Sequence, residues 1–249
     1  MQVIVNSLLT QYARLGKGKS IIIIPGWAND SKSWQIFQKR LSESYDVIVL
    51  DLPGFGGSQR PATNWGLSEY STFVGAFLEK LNTKPYAIIG HSNGGAIAVR
   101  GLALKHFSTQ RLVLLACAGI RSSYKSRKKI LRLITKTGKI LSTPLPHNTK
   151  NQLRQKVYKK VGSDMLVAEH MQGTFKKIVE DDIQADAPKI DSPTLLIYGE
   201  DDQQTPLWYG QQFHELINGS SLEILPGVGH FIQLERPYRV IKTIREFLQ

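Results

Sequence analysis

A chain of 249 residues with 41% hydrophobic and 21% charged positions is long enough for one large α/β domain, or for a domain carrying an insertion, and too apolar to be disordered. The single cysteine, Cys117, excludes an internal disulfide and a cysteine-rich zinc site, and no aliphatic run approaches the length that spans a bilayer. The net charge of +12 is confined: residues 121–180 hold 15 Lys and Arg against three acidic residues, while the rest of the chain carries 17 of each sign.

The opening residues Met1 to Asn6 have no basic region and no long apolar stretch, so a cytoplasmic location is expected. Val3 to Arg14 is expected to form an antiparallel edge hairpin. Four later runs are apolar without alternation and end in small or turn residues: Ser20 to Gly26, Asp46 to Gly54, Tyr86 to Gly90 and Arg111 to Ala116. Thr194 to Gly199 repeats the pattern, and Ser221 to Gly227 is a shorter version. Such runs read as strands buried on both faces of a parallel sheet. Helical spacing occupies the intervals Ser33 to Leu41, Ser68 to Leu81, Ala96 to His106, Pro206 to Ile217 and Pro237 to Leu248. Strand alternating with helix gives βαβ units and a mostly parallel, doubly wound α/β sheet.

The alternation stops between Gly119 and about Ile190. There Ile130, Leu131, Leu133, Ile134, Ile140 and Leu141 share one helical stripe, and Leu153, Val157 and Val161 a second. Met165, Val167, Ala168, Met171, Phe175 and Ile178 make a looser third. The expected organisation is therefore a core of residues 1–119 and 190–249, with a helical cap inserted at 120–189. The positive excess lies in that cap. Solvated helix faces explain it simply; attraction of anionic substrates or of an anionic membrane surface is the sharper reading. No nucleic-acid partner is expected, because the segment has few aromatic residues and no nucleic-acid motif.

Gly90-His91-Ser92-Asn93-Gly94-Gly95 sits between an expected buried strand and an expected helix. Gly-x-Ser-x-Gly in that setting is a nucleophile elbow, with glycines where a sharp turn crowds the backbone. The turn lifts the serine hydroxyl to a helix N-terminus, which favours a developing anion. A serine alcohol needs a base, and the base an orienting acid, in the chain order Ser, acid, His. His214 lies within a helical stretch, whereas His230 lies in the loop after the last strand. The loop after Gly199 offers Glu200, Asp201 and Asp202; Asp202 is the first choice and the other two are alternatives. His91 is read as a packing and hydrogen-bonding residue, not a second base.

In order along the chain, Pro25-Gly26-Trp27, Asp51-Leu52-Pro53-Gly54-Phe55-Gly56-Gly57-Ser58, the Ser92 elbow, Gly199 to Pro206 and Gly229-His230-Phe231 resemble the α/β-hydrolase fold superfamily. The likeness is to its capped esterase and C–C-hydrolase-like branch, over residues 18–119 and 190–249. It implies an oxyanion hole made by the backbone N–H groups of Trp27 and Asn93. The usual His-Gly pair before Trp27 is here Pro25-Gly26, which removes a side chain that often braces this loop. Trp27, Phe55, Trp208 and Phe231 flank the catalytic loops and are candidate pocket walls, a placement that core packing would explain equally well. The expected activity is hydrolysis of small to medium carboxylic esters through Ser92, His230 and Asp202 by way of an acyl-enzyme, with no metal or organic cofactor. C–C bond hydrolysis, acyl transfer and a non-catalytic ligand receptor are the rival readings.

Overall fold

A computed structural model describes residues 1–121 and 168–249 of the chain. Eight strands run through them: β1 (Gln2–Val5), β2 (Leu8–Leu15), β3 (Ser20–Ile24), β4 (Asp46–Leu50), β5 (Ala87–His91), β6 (Arg111–Leu115), β7 (Thr194–Gly199) and β8 (Ser221–Leu225). They form one sheet in the order β1-β2-β4-β3-β5-β6-β7-β8. The β1–β2 hairpin is antiparallel and joins β4 antiparallel; every other neighbouring pair is parallel. The α/β-hydrolase architecture expected from the sequence is the one observed.

The apolar runs lack alternation because both faces of the sheet are covered. Ile22 and Ile24 of β3 pack into a layer with α2 (Leu67–Lys80) and α3 (Asn93–Ala103). Ile21 and Ile23 face the opposite layer, with α1 (Gln35–Leu41) and the C-terminal helix Pro237–Phe247. β8 differs from its expected burial: as the sheet edge it leaves Ile224 exposed and Glu223 paired at 2.9 Å with Arg239. α3 begins at Asn93, three residues before the expected Ala96, because the elbow turns within one residue.

The α-helices within residues 168–249 are α4 (Gln172–Glu180), α5 (Leu207–Leu216), the four-residue α6 (Ile232–Glu235) and α7 (Pro237–Phe247). Residues 168–189 are tied to the core. Ala168, Met171, Ile183 and Ala187 are buried in the layer with α2 and α3. Arg100 of α3 reaches Asp186 at 2.6 Å, the Asp182 carbonyl at 2.9 Å and the Ser68 hydroxyl at 3.0 Å. The Asp181 carboxylate accepts from the Leu67 N–H at 2.8 Å, at the start of α2. The stripes expected at 130–141 and 153–161, with Met165, Val167 and the basic residues around them, lie outside the described residues. Among the described residues, no helix is long and apolar enough to cross a membrane.

Candidate active site

The chain leaves β5 at His91 and enters α3 at Asn93, so Ser92 alone makes the turn. Its backbone stands at φ 51° and ψ −119°, a conformation that costs a non-glycine residue roughly 1–3 kcal/mol. Hydrogen bonds hold it there: Ser92 N–H donates to Leu115 O at 2.9 Å, and Ser92 O accepts from Gly95 N at 3.0 Å and Ala118 N at 3.1 Å. A side chain at Gly94 would run into the carbonyl oxygens of Ile24 and Pro25, and one at Gly90 would come 2.6 Å from the Gly95 Cα. The elbow thus fits only because these positions lack a Cβ. Asn93 is the first residue of α3, and a helix has no internal partner for its first N–H groups.

The loop after β3 lies against the elbow: a Cβ on Gly26 would come 3.2 Å from the Ser92 Cβ. Hydrogen bonds made by Asn29 and Asp51 hold this loop. Asn29 N–H donates to Gly26 O at 3.2 Å and its amide to Trp27 O at 3.1 Å. Asp51 then links two loops, accepting from Ser31 N–H at 2.6 Å and from Gly57 N–H at 3.0 Å.

Across the sheet, the loops after β7 and β8 run side by side, with Glu200 N–H on Leu225 O at 3.0 Å and Asp201 N–H on Val228 O at 2.9 Å. Of the three carboxylates in the first loop, Asp202 meets His230: its Oδ2 lies 2.8 Å from His230 Nδ1, while Glu200 and Asp201 are exposed. Both partners are buried. Asp202 Oδ1 accepts from the N–H groups of Gln204 at 2.7 Å and Thr205 at 3.0 Å. Burial pushes the Asp202 pKa up, but His230 and the Thr205 donors outweigh burial and hold it below the ordinary aspartate value. The carboxylate is therefore ionised at neutral pH and pointed at one imidazole nitrogen.

Thr205 is a contributor that pattern reading missed. Its hydroxyl lies 2.7 Å from Asp202 Oδ2, 3.1 Å from His230 Nδ1 and 3.0 Å from Ala116 O at the end of β6. The local signal was Asp-x-x-Thr, the spacing at which a carboxylate caps the backbone two and three residues on.

Trp27 and Phe55 are buried edge to face, with ring centroids 4.8 Å apart. Phe175 of α4 completes the group at 5.0 Å from Trp27; the sequence pattern places it on a helical stripe without pointing to this contact. Phe231 is half-buried, its ring 5.3 Å from His230 and 6.0 Å from His91. Trp208 is 37% exposed and packs against Tyr209. His214 is exposed and bonded to Ser220. Cys117 is buried beneath the elbow, where a Cβ on Gly95 would come 2.7 Å from its sulfur.

The model of the alpha/beta hydrolase family matches residues 21–243. A 2-hydroxy-6-oxo-2,4-heptadienoate hydrolase of Pseudomonas putida is 23% identical over 99% of this chain and 95% of its own length. A monoacylglycerol lipase of Mus musculus is 28% identical over 94% of this chain and 77% of its own length. An esterase from Exiguobacterium antarcticum superposes with a TM-score of 0.79 at 22% identity, covering 99% of this chain and 98% of that one.

Proposed function

The chain belongs to the alpha/beta hydrolase family, and from that premise we propose that it is a serine hydrolase that cleaves carboxylic esters through Ser92, His230 and Asp202. The observation that carries this reading is the buried, hydrogen-bonded pair of Asp202 and His230 at 2.8 Å, on loops that leave the C-terminal ends of parallel strands, as the strained Ser92 turn does. In this reading His230 Nε2 takes the Ser92 proton as Oγ attacks the acyl carbonyl. The backbone N–H groups of Trp27 and Asn93 receive the oxyanion, each donor lowering the barrier by about 3–4 kcal/mol. His230 passes the proton to the leaving alcohol, and the acyl group stays on Ser92. Water, deprotonated by His230, attacks the acyl-enzyme and releases the acid. Asp202 keeps Nδ1 protonated and stabilises the imidazolium in both halves.

We take residues 120–189 as a cap over this site. The contact of Phe175 with Trp27 supports it, since it brings the end of that segment onto the oxyanion loop. The Pseudomonas relative favours a second reading, hydrolysis of a C–C bond in a dienoate diketone by the same residues. A panel of p-nitrophenyl esters of rising acyl length, run beside a 2-hydroxy-6-oxo-dienoate, separates the two. The ester reading expects kcat/KM for the best ester to exceed that for the dienoate by at least about tenfold. The reverse order would replace it with the C–C reading, and no turnover of either would favour a ligand receptor.

A further inference from the structure

His91, the residue before Ser92, is fully buried and touches two of the loops that meet at the site, those after β3 and β8. Its Nε2 lies 3.1 Å from the backbone carbonyl of His230, 139 residues away in the chain. A carbonyl only accepts, so Nε2 carries the proton and Nδ1 is a bare lone pair. That lone pair has no partner among the described residues and faces the loop after β3: a Cβ on Gly26 would come 2.8 Å from it. The ring is boxed by Trp34 at 6.1 Å, His230 at 5.0 Å and Phe231 at 6.0 Å between centroids.

A buried acceptor without a partner is unfavourable, so packing alone gives no reason to choose an imidazole here over a leucine of similar size. The Nε2–H bond gives one. It holds the main chain of His230, whose ring must keep Nδ1 on Asp202 while its other nitrogen serves Ser92. The opposite edge of the same ring limits how close Gly26, and with it the N–H of Trp27, can approach the elbow.

We propose that His91 is a positioning residue: a neutral ring, locked with its proton on Nε2, that sets the spacing of the His230 loop and the Gly26–Trp27 loop about Ser92. This rests on the serine-hydrolase reading above. Two conditions support a neutral ring. Burial drives the His91 pKa down to about 3, helped by the charge of a protonated His230, against the smaller opposing effects of the His230 carbonyl and of Asp202. The ring also contacts no carboxylate directly among its described partners.

The test compares His91→Gln, which keeps an N–H donor at the reach of Nε2, with His91→Leu, which keeps bulk alone. His91→Leu should lower kcat for the best ester at least tenfold with KM within threefold, and slow fluorophosphonate labelling of Ser92 in parallel. His91→Gln should recover kcat to within threefold of wild type. Equal losses in the two variants, or a His91→Leu kcat within twofold of wild type, would overturn the proposal. The imidazole ¹⁵N shifts of the unmodified protein give a readout that depends on neither folding of a variant nor turnover. They should show His91 neutral and protonated on Nε2 from pH 8 to pH 5. A proton on Nδ1, or titration within that range, would also overturn it. If wild type is neither labelled nor active while the shifts are as expected, the hydrolase reading fails and the tautomer assignment stands.

Discussion

Thr205 stands three residues after Asp202, and its hydroxyl meets the acid, the base and the end of β6 together. A hydrogen bond to a charged group contributes about 1.5–3 kcal/mol, so Thr205→Val should lower kcat about tenfold or more and Thr205→Ser should restore most of it. Steady-state kinetics on one ester decides this; equal rates for the valine and serine variants would show that the hydroxyl is idle. The acid makes a sharper contrast. Asp202→Asn loses the group that fixes the His230 tautomer and should cost about 10³–10⁴ in kcat. Asp201→Asn and Glu200→Gln alter exposed side chains and should stay within about threefold. His91 carries a pH signature. Its folded pKa is lowered to about 3 from 6.5, so between these values the unfolded chain binds a proton that the folded protein refuses. Its contribution to stability is full above pH 6.5 and is lost as pH falls, by about 1.4 kcal/mol per pH unit. Denaturant unfolding at pH 7, 6 and 5 should show this slope, and His91→Gln should flatten it.

At the scale of elements, most of what positions the site was legible. Buried strands announce themselves as apolar runs ending in Gly or Pro, and the elbow motif marks the β5–α3 junction. The start of α3 was less legible because Gly94 and Gly95 are poor helix formers, chosen here for close approach to β3 and Cys117 rather than for propensity. α6 was missed because four residues are too few for a period. β8 misled because its apolar pattern, read without sheet order, resembles that of an interior strand. Long-range polar contacts leave no periodic trace at all: Arg100 and Asp186 are 86 residues apart. That pair yields a prediction. Arg100 is half of a largely buried ion pair, and removing it leaves the Asp186 carboxylate with only the half-exposed Lys189 at 3.4 Å. Arg100→Met should destabilise the fold by about 2–4 kcal/mol. Hydrogen exchange should quicken in residues 172–189 before it does in β3, β5 and β6; uniform quickening would show that Arg100 does not act through this segment.

For the molecule as a whole, charge and chemistry are separate in sequence: the excess of +12 lies in residues 121–180, and Ser92, Asp202 and His230 lie outside it. A neutral ester carries no net charge for those residues to attract, so they should matter little to its turnover. We propose that they favour anionic surfaces, where each basic residue adds about 1 kcal/mol. Replacing Lys128, Lys129, Arg132 and Lys136 by Gln should leave kcat/KM for a soluble ester within about threefold, a difference under about 0.7 kcal/mol, and weaken sedimentation with phosphatidylserine vesicles. Undiminished vesicle binding would remove this role. Peptide mapping by mass spectrometry after fluorophosphonate treatment tests whether Ser92 is a nucleophile activated by His230. One covalent adduct is expected, on Ser92, absent in Ser92→Ala and formed at least about 10³-fold more slowly in His230→Ala. An unlabelled wild type, or an adduct on any other residue that survives Ser92→Ala, would contradict that role of Ser92.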